Sequence, residues 1–149
     1  MMATWALTTF STAVSLATHE GEINSLTATD WSSKITIAKT MMGNDIQEML
    51  VNRGMDYWTD FESGEILLDI ITNKDIFEIV SDFKTLDLCY QDLSNGEKDS
   101  VYGAKMTMYR QMYNSALRQA MKYVDLDINQ DGTTDVYKAK LSAIGRNTR

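Results

Sequence analysis

The chain contains no proline, one cysteine and one histidine among its 149 residues. At a usage of about 5%, roughly seven prolines would be expected in a chain of this length. Their absence favours long helices, because proline breaks a helix interior. Cys89 alone cannot form a disulfide within one chain, and zinc sites built from several Cys and His side chains are excluded. His19 has no nucleophile motif around it, so a histidine-dependent catalytic triad is not indicated.

The sequence also lacks an uninterrupted apolar run of about 18 residues, so we expect no membrane-spanning helix and no membrane partner. Residues 1–5 lack the basic start of a secretory signal, and no export signal is expected. The glycine motifs that bind phosphates and dinucleotides are missing. These absences disfavour several common enzyme classes, but they leave open a hydrolase that works through carboxylates alone.

The chain has fewer basic than acidic residues. The chain has 14 Lys and Arg against 21 Asp and Glu, which gives a formal net charge of -7. An acidic chain is not typical of a general nucleic-acid binder. It favours cations or basic protein surfaces as partners.

The spacing of apolar residues predicts a mainly α fold, a three- to four-helix bundle. The first helix is predicted from about Trp31 to Arg53, where Gly54 suits a left-handed stop. A second helical region is expected to start near Ser63, although its short apolar run would also fit a strand. The third helix is predicted over residues 76–93 and the fourth over residues 98–124.

The fourth predicted helix has two adjacent apolar rows. One row steps by four residues and consists of Ala104, Met108, Met112, Ala116, Ala120 and Val124. The other row consists of Tyr109, Tyr113, Leu117 and Met121. Together they predict a wide apolar stripe that packs in the core. The alternative is an adaptable, methionine-rich binding surface.

The N-terminal part has a different composition. Twelve of the first 33 residues are Ser or Thr, and no Lys or Arg precedes Lys34. No regular helical stripe is visible, so we expect an extended or partly helical arm over residues 1–30. It is either a disordered leader or an arm that orders on a partner. In the second case Trp5 and Phe10 are the expected anchors, because aromatic residues dominate interface energetics.

The most specific motif is the run DINQDGTTD at residues 127–135. Calcium binds hard oxygen ligands, and alternate residues of such a loop turn towards one centre while Gly132 permits the sharp turn. The expected ligands are Asp127, Asn129, Asp131, the Thr133 carbonyl and Asp135. A complete EF-hand would need a glutamate where this chain has Lys138, so only a shorter calcium loop fits. The alternative is an Asx-rich turn without metal.

The C-terminal residues reverse the sign of the charge. From Val136 to Arg149 there is no acidic side chain, and the basic residues are Lys138, Lys140, Arg146 and Arg149. This segment is either a frayed end or a basic tail that binds an acidic groove on a partner. The predicted organisation is therefore an arm (1–30), a helical domain (31–124), and an Asp-rich loop with a short C-terminal tail (125–149).

Four stretches carry a resemblance to a known family: Leu86–Ser94, Tyr109–Tyr113, Ala116–Ala120 and Asp125–Gly132. They resemble the head-to-tail connector or adaptor proteins in the neck of tailed bacteriophages, over roughly residues 63–149. The resemblance implies a homo-oligomeric ring of about twelve copies between a portal protein and a tail or stopper protein. It also implies a virion location after synthesis in the host cytoplasm, DNA only by proximity to the channel, and no catalysis.

The structural virion adaptor is the leading hypothesis from the sequence. One alternative is a small calcium-binding interaction module, motivated by the Asp-rich loop alone. Another is a different virion role, such as tail completion or capsid decoration. A carboxylate-dependent hydrolase is the remaining class.

The Asp-rich loop generates the first testable prediction. The wild-type protein should bind calcium in isothermal titration calorimetry. Asp131→Ala should weaken binding by about tenfold or more, because it removes a charged ligand from a loop that has few. Asp75→Ala, an acid outside the loop, is the control. Equal heats for wild type and Asp131→Ala, or no heat in either, would leave only the metal-free turn.

Overall fold

The computed structural model describes residues 5–26, 31–52, 68–95 and 100–126. Within these ranges 77% of the residues are helical and no strand is present. The one extended pairing among them is an isolated antiparallel bridge between Ile71 and Leu126. The predicted mainly helical bundle is therefore confirmed. No helix in the described ranges is long and apolar enough to span a bilayer.

Four α-helices are described, together with three short 3-10 turns. The helices are α1 (Ala13–His19), α2 (Ser32–Asn52), α3 (Glu78–Ser94) and α4 (Val101–Met121). The 3-10 turns are Ile23–Ser25, Leu68–Ile70 and Lys74–Phe77. The bounds of α2, α3 and α4 agree with the predicted ones to within about one turn. The predicted start of a helical region near Ser63 lies outside the described residues.

The end of α3 has a local cause in the sequence. Asn95 follows the last helical residue with a φ of 51°, in the left-handed region. Its backbone N–H donates to the carbonyl of Asp92. Asparagine is one of the few residues that adopt this conformation readily, so it ends a helix well.

The chain divides into two compact units that are not continuous in sequence. The described part of the first unit is residues 5–8, 43–52, 68–76 and 119–126. The described part of the second unit is residues 9–26, 31–42, 77–95 and 100–118. The domain boundaries predicted after residues 30 and 124 stay predictions.

In the first unit, α2 makes a close approach at Gly43. A β-carbon at this position would lie 3.0 Å from Cδ1 of Leu68 and 3.4 Å from Nε1 of Trp5. The backbone N–H of Trp5 in turn donates to Oδ1 of Asp69 at 2.6 Å. Glycine in a helix interior costs about 1 kcal/mol relative to alanine. At Gly43 the missing side chain lets the helix contact Leu68 and Trp5 closely.

Within the first unit, Asn73 binds the chain that follows α4. Its Nδ2 donates to the carbonyl of Tyr123 at 2.7 Å, and its Oδ1 accepts from the N–H of Asp125 at 2.9 Å. The N–H of Thr72 also donates to the carbonyl of Asp125 at 3.0 Å. The residues just before the predicted calcium loop are therefore held by side-chain and backbone hydrogen bonds.

In the second unit, the N-terminal segment forms part of the core. Thr12 and Ser15 make a reciprocal capping box at the start of α1, with N-to-Oγ distances of 3.1 and 2.8 Å. Leu16 and Ile23 are fully buried, and Nε1 of Trp31 donates to the carbonyl of Ile23 at 2.8 Å. The extended arm is thus not confirmed in its described part. Its buried apolar residues, among them Phe10, Leu16 and Ile23, are too widely spaced to give a helical stripe.

Helix α4 corrects the prediction of a wide buried stripe. Its buried residues are Met106, Tyr109, Tyr113, Leu117, Ala120 and Met121. By contrast, Ala104, Met108 and Met112 are exposed. In the tyrosine row, the hydroxyl of Tyr109 donates to Oε1 of Glu20 at 2.7 Å, and the ring centroid of Tyr113 lies 4.9 Å from Nζ of Lys84. The neighbouring row then faces outward over this part of the helix.

The burial of the N-terminal segment generates the second prediction. Leu16→Ala should lower the free energy of unfolding by about 2–5 kcal/mol, because it removes a fully buried side chain. Val14→Ala on the same helix is the matched control, since Val14 is largely exposed. It should change stability by less than about 0.5 kcal/mol. Urea denaturation measures both changes. A Leu16→Ala effect as small as that of the control would support the extended N-terminal arm instead.

Candidate functional site

Most of the predicted site residues lie outside the described part of the chain. These are the calcium ligands Asp127, Asn129, Asp131, Thr133 and Asp135, and the basic tail residues Lys138, Lys140, Arg146 and Arg149. Their roles stay predictions. Among the described residues, no group of three or more His, Cys, Asp or Glu side chains is arranged to hold a metal ion.

The predicted partner anchors Trp5 and Phe10 are both described, and both are buried within their own chain. Trp5 lies in the first unit and Phe10 in the second. Nζ of Lys39 lies 5.8 Å from the ring centroid of Phe10, within cation–π range. In this conformation neither ring is available to a partner.

The structure instead brings together a set of polar side chains that sequence reasoning missed. They join the N-terminal segment to α3 and α4 within the second unit, and α1 packs against α3. The members on the N-terminal segment are Ser11, Ser15, His19 and Glu20. Their partners are Ser81 and Asp82 on α3 and Lys105 and Tyr109 on α4. We call this set the N-terminal clamp.

The first half of the N-terminal clamp centres on the buried carboxylate of Asp82. Ser15 donates its hydroxyl to Oδ1 at 2.8 Å, and Nε2 of His19 lies 3.3 Å from Oδ2. Beside them, the hydroxyl of Ser11 donates to that of Ser81 at 2.8 Å. Burial of a carboxylate is costly unless it is hydrogen-bonded, and here both oxygens have partners.

The residue types in this half resemble a catalytic triad, but the order differs. A triad needs histidine between the nucleophile and the carboxylate. Here the carboxylate of Asp82 lies between Ser15 and His19 and binds both of them. The Ser15 hydroxyl donates a hydrogen bond to the carboxylate of Asp82 and not to a histidine. This geometry therefore does not activate the hydroxyl towards a substrate.

The second half of the N-terminal clamp centres on Glu20. Nζ of Lys105 donates to Oε2 at 2.7 Å, and the hydroxyl of Tyr109 donates to Oε1 at 2.7 Å. The ring of Tyr90 stacks on Tyr109 with centroids 5.9 Å apart, and Nζ of Lys105 lies 5.4 Å from the Tyr90 centroid. One carboxylate therefore organises a cation and two phenol rings.

These contacts set the electrostatics of the site. Burial alone would raise the pKa of Glu20, but the hydrogen bonds from Lys105, Tyr109 and Tyr90 and the charge of Lys105 outweigh it, and the pKa is lowered. Burial, followed by the nearby Glu20, raises the pKa of both Tyr90 and Tyr109. The stable state at neutral pH is therefore an ionised carboxylate that accepts hydrogen bonds from protonated phenols.

A separate ion pair joins α3 and α4. The carboxylate of Asp87 is almost completely buried, and Arg110 reaches it with both Nη2 and Nε, at 3.2 and 3.3 Å. Lys84 approaches the same carboxylate at 3.7 Å, and its Nζ also lies 4.9 Å from the centroid of Tyr113. Two-point binding by arginine fixes geometry as well as charge, so this pair locks the alignment of the two helices.

The remaining unusual ionisable groups also have structural explanations. Cys89 is fully buried, and burial raises the pKa of its thiol to about 12, so it stays protonated. Burial lowers the pKa of Lys74, which the charge of Asp69 opposes. The ammonium of Lys74 donates to the carbonyls of Asp69 and Ile71. Across the described residues, every buried side-chain nitrogen and oxygen has a hydrogen-bond partner.

This arrangement holds the N-terminal segment against α3 and α4. Two signals in the sequence pointed towards it. Thr12 and Ser15 have the spacing of a capping box. Asp82 and Asp87 lie among the apolar residues of the α3 pattern, and acids that become buried require partners. The identity of those partners depends on tertiary contacts 23 to 89 residues away in the chain.

No protein-family model, curated protein sequence or solved structure matched this chain. Its function is therefore argued from its own residues and from the resemblance described above.

The N-terminal clamp generates the third prediction. Since the pKa of Glu20 is lowered in the folded state, its stabilisation is present above the unfolded value of 4.5 and is lost as the pH falls through the folded pKa. Glu20→Gln should lower the free energy of unfolding by about 1–3 kcal/mol near neutral pH. The difference from wild type should shrink at an acidic pH below the folded pKa of Glu20, where its carboxyl group is protonated.

Glu22→Gln is the matched control, because Glu22 is exposed and only two residues away. It should leave stability nearly unchanged at both pH values, as measured by urea denaturation. A Glu20→Gln effect that stays constant with pH would contradict a role for the ionised carboxylate.

Proposed function

We propose that this protein is a structural virion protein, a head-to-tail adaptor in the neck of a tailed bacteriophage. The observation that carries the proposal is that the helical stretches of the resemblance contact each other. Leu86–Ser94 lies within α3, and Tyr109–Tyr113 lies within α4. Tyr90 of the first stretch stacks on Tyr109 of the second, and Asp87 binds Arg110. These residues thus act as one packed unit.

The internal contacts suit a protein that must keep its shape. An adaptor holds two large assemblies together, so its own helices must keep their alignment. The Asp87–Arg110 pair and the Glu20 contacts are charge-assisted and directional. They keep α3, α4 and the N-terminal segment in one arrangement, and this supports a structural role.

The proposed partners are a portal protein on one side and a tail or stopper protein on the other, with further copies of the chain in a ring. The acidic chain favours basic partner surfaces, while the tail from Lys138 to Arg149 would bind acidic groups. DNA is near only because it passes through the channel.

A small calcium-binding interaction module is the second candidate, and one observation favours it. Asn73 and Thr72 fix the backbone at Asp125, two residues before the first expected ligand, Asp127. A fixed starting point lowers the ordering cost of a metal loop. A tail-completion or capsid-decoration protein is the remaining virion alternative.

The fourth prediction tests the adaptor role in the viral genome that encodes the chain. A stop codon in place of Leu16 should give DNA-filled heads and separate tails in electron micrographs of the lysate. A plasmid copy of the gene should restore joined particles. A synonymous leucine codon at the same position is the control.

The position of the protein in the particle gives a second readout of the same experiment. Gold-labelled antibody should bind at the junction between head and tail. Label over the capsid shell would favour decoration, and normal particles from the stop-codon genome would overturn the adaptor role.

A further inference from the structure

The outer face of α4 carries an apolar row that stays exposed in the described part of the chain. Val101, Met108 and Met112 are 73%, 42% and 36% exposed. Ala104 and Ser115 lie between and beside them and are also exposed. Steps of three, four and seven residues place all five on one side of the helix. This α4 row contains no charged residue.

Helix α2 carries a second row of the same kind. Ile37 and Met41 are 45% and 38% exposed and lie four residues apart. Ser33 and Thr40 flank them and are exposed as well. The α2 row is therefore also uncharged, and its apolar pair has the same spacing as Met108 and Met112. Both apolar pairs belong to the second unit.

Uncharged outer faces are unusual on surface helices. An amphipathic helix normally presents charged or polar residues opposite its buried side. In α4 the charged residues are instead set to the flanks. Lys105 is held by Glu20 and Arg110 by Asp87. Apolar side chains exposed on one face of a helix, with the charges set beside them, are a feature of interaction surfaces.

We propose that the α4 row of one copy binds the α2 row of a second copy, so that subunits join head to tail. A strongly charged partner would find no complementary charge on either row. A second copy of the chain offers a row that is uncharged, apolar and equally spaced. The proposal rests on the proposed function and identifies the contact that would build its ring.

The rows fit each other as helices. Alanine at position 104 leaves room for another helix to approach closely, and side chains four residues apart form the ridges that interlock in helix packing. A parallel pairing of Met41 with Met112 also brings Ile37 level with Met108, so the two apolar pairs meet along their length.

Two different patches on one subunit make a heterologous contact, which generates a ring when the rotation closes. A single helix pair buries less than the roughly 1,600 Å² of a standard protein interface. Association of two free copies should therefore be weak. In a closed ring each subunit makes two such contacts. The contact that closes the ring forms between copies that are already held together, so it adds stability without a further loss of translational freedom.

The fifth prediction tests the contact with two variants of the full chain. The α2 variant is Ile37→Glu with Met41→Glu, and the α4 variant is Met108→Glu with Met112→Glu. Sedimentation velocity over a concentration series should show species larger than a dimer for wild type. Each variant alone should raise the dissociation constant by about a hundredfold or more, because buried carboxylates would lack partners.

An equimolar mixture of the two variants distinguishes the proposed contact from others. The α2 variant keeps an intact α4 row, and the α4 variant keeps an intact α2 row, so only one junction can form. The mixture should give a one-to-one heterodimer and nothing larger. Met41→Lys mixed with Met112→Glu should associate more tightly than either does alone, because opposite charges then meet.

Thr107→Glu with Asn114→Glu is the matched control, since it adds the same charge to exposed positions of α4 outside the row. It should associate like wild type. Circular dichroism melting should show that every variant is folded. Wild type that stays monomeric at every concentration would overturn the proposal. So would an α2 variant that still dimerises, which would indicate a two-fold α4 contact.

The outcome is independent of the test of the adaptor role. If wild type is monomeric but the stop codon separates heads from tails, the adaptor role is supported and the proposed contact is wrong. If the heterodimer forms but particles assemble without the protein, the contact is supported and the adaptor role is wrong.

Discussion

The second unit depends on the ionised carboxylate of Glu20, placed just after α1 and bound by Lys105 and Tyr109 of α4. A partly buried anion is stable only when its hydrogen-bonding capacity is filled. Filling it requires α1, α4 and the Tyr90 ring of α3 to come together in one way. The apolar residues supply most of the free energy of burial, but this contact determines which surfaces meet.

Periodicity predicted the helices because it is local information. Met42, Ile46 and Leu50 follow one face of α2, and all three are fully buried. Asn95 marked the end of α3 through its own backbone preference. The N-terminal segment gave no such signal, since Phe10, Leu16 and Ile23 are separated by six and seven residues and are buried through long-range contacts. Its polar partners on α3 and α4 could not be identified from spacing.

Helix α4 shows where a pattern alone is ambiguous. Two adjacent apolar rows predict a wide buried stripe, yet only one row enters the core over the first half of the helix. Tyr109 and Tyr113 take the inner positions, with Glu20 and Lys84 as polar or charged neighbours. Met108 and Met112 lie on the neighbouring row and are exposed. The charged neighbours of the two tyrosines belong to other elements, so the pattern within α4 does not reveal which row is buried.

Asn73 illustrates how strictly one side-chain atom can be specified. Its carbonyl oxygen accepts from Asp125 while its amide nitrogen donates to Tyr123. Aspartate has almost the same shape but cannot donate when ionised. Spontaneous deamidation at this position would therefore set a carboxylate against a carbonyl oxygen and loosen the chain after α4 without cleaving any peptide bond. The hydrogen bonds of this one amide would therefore weaken as the protein ages.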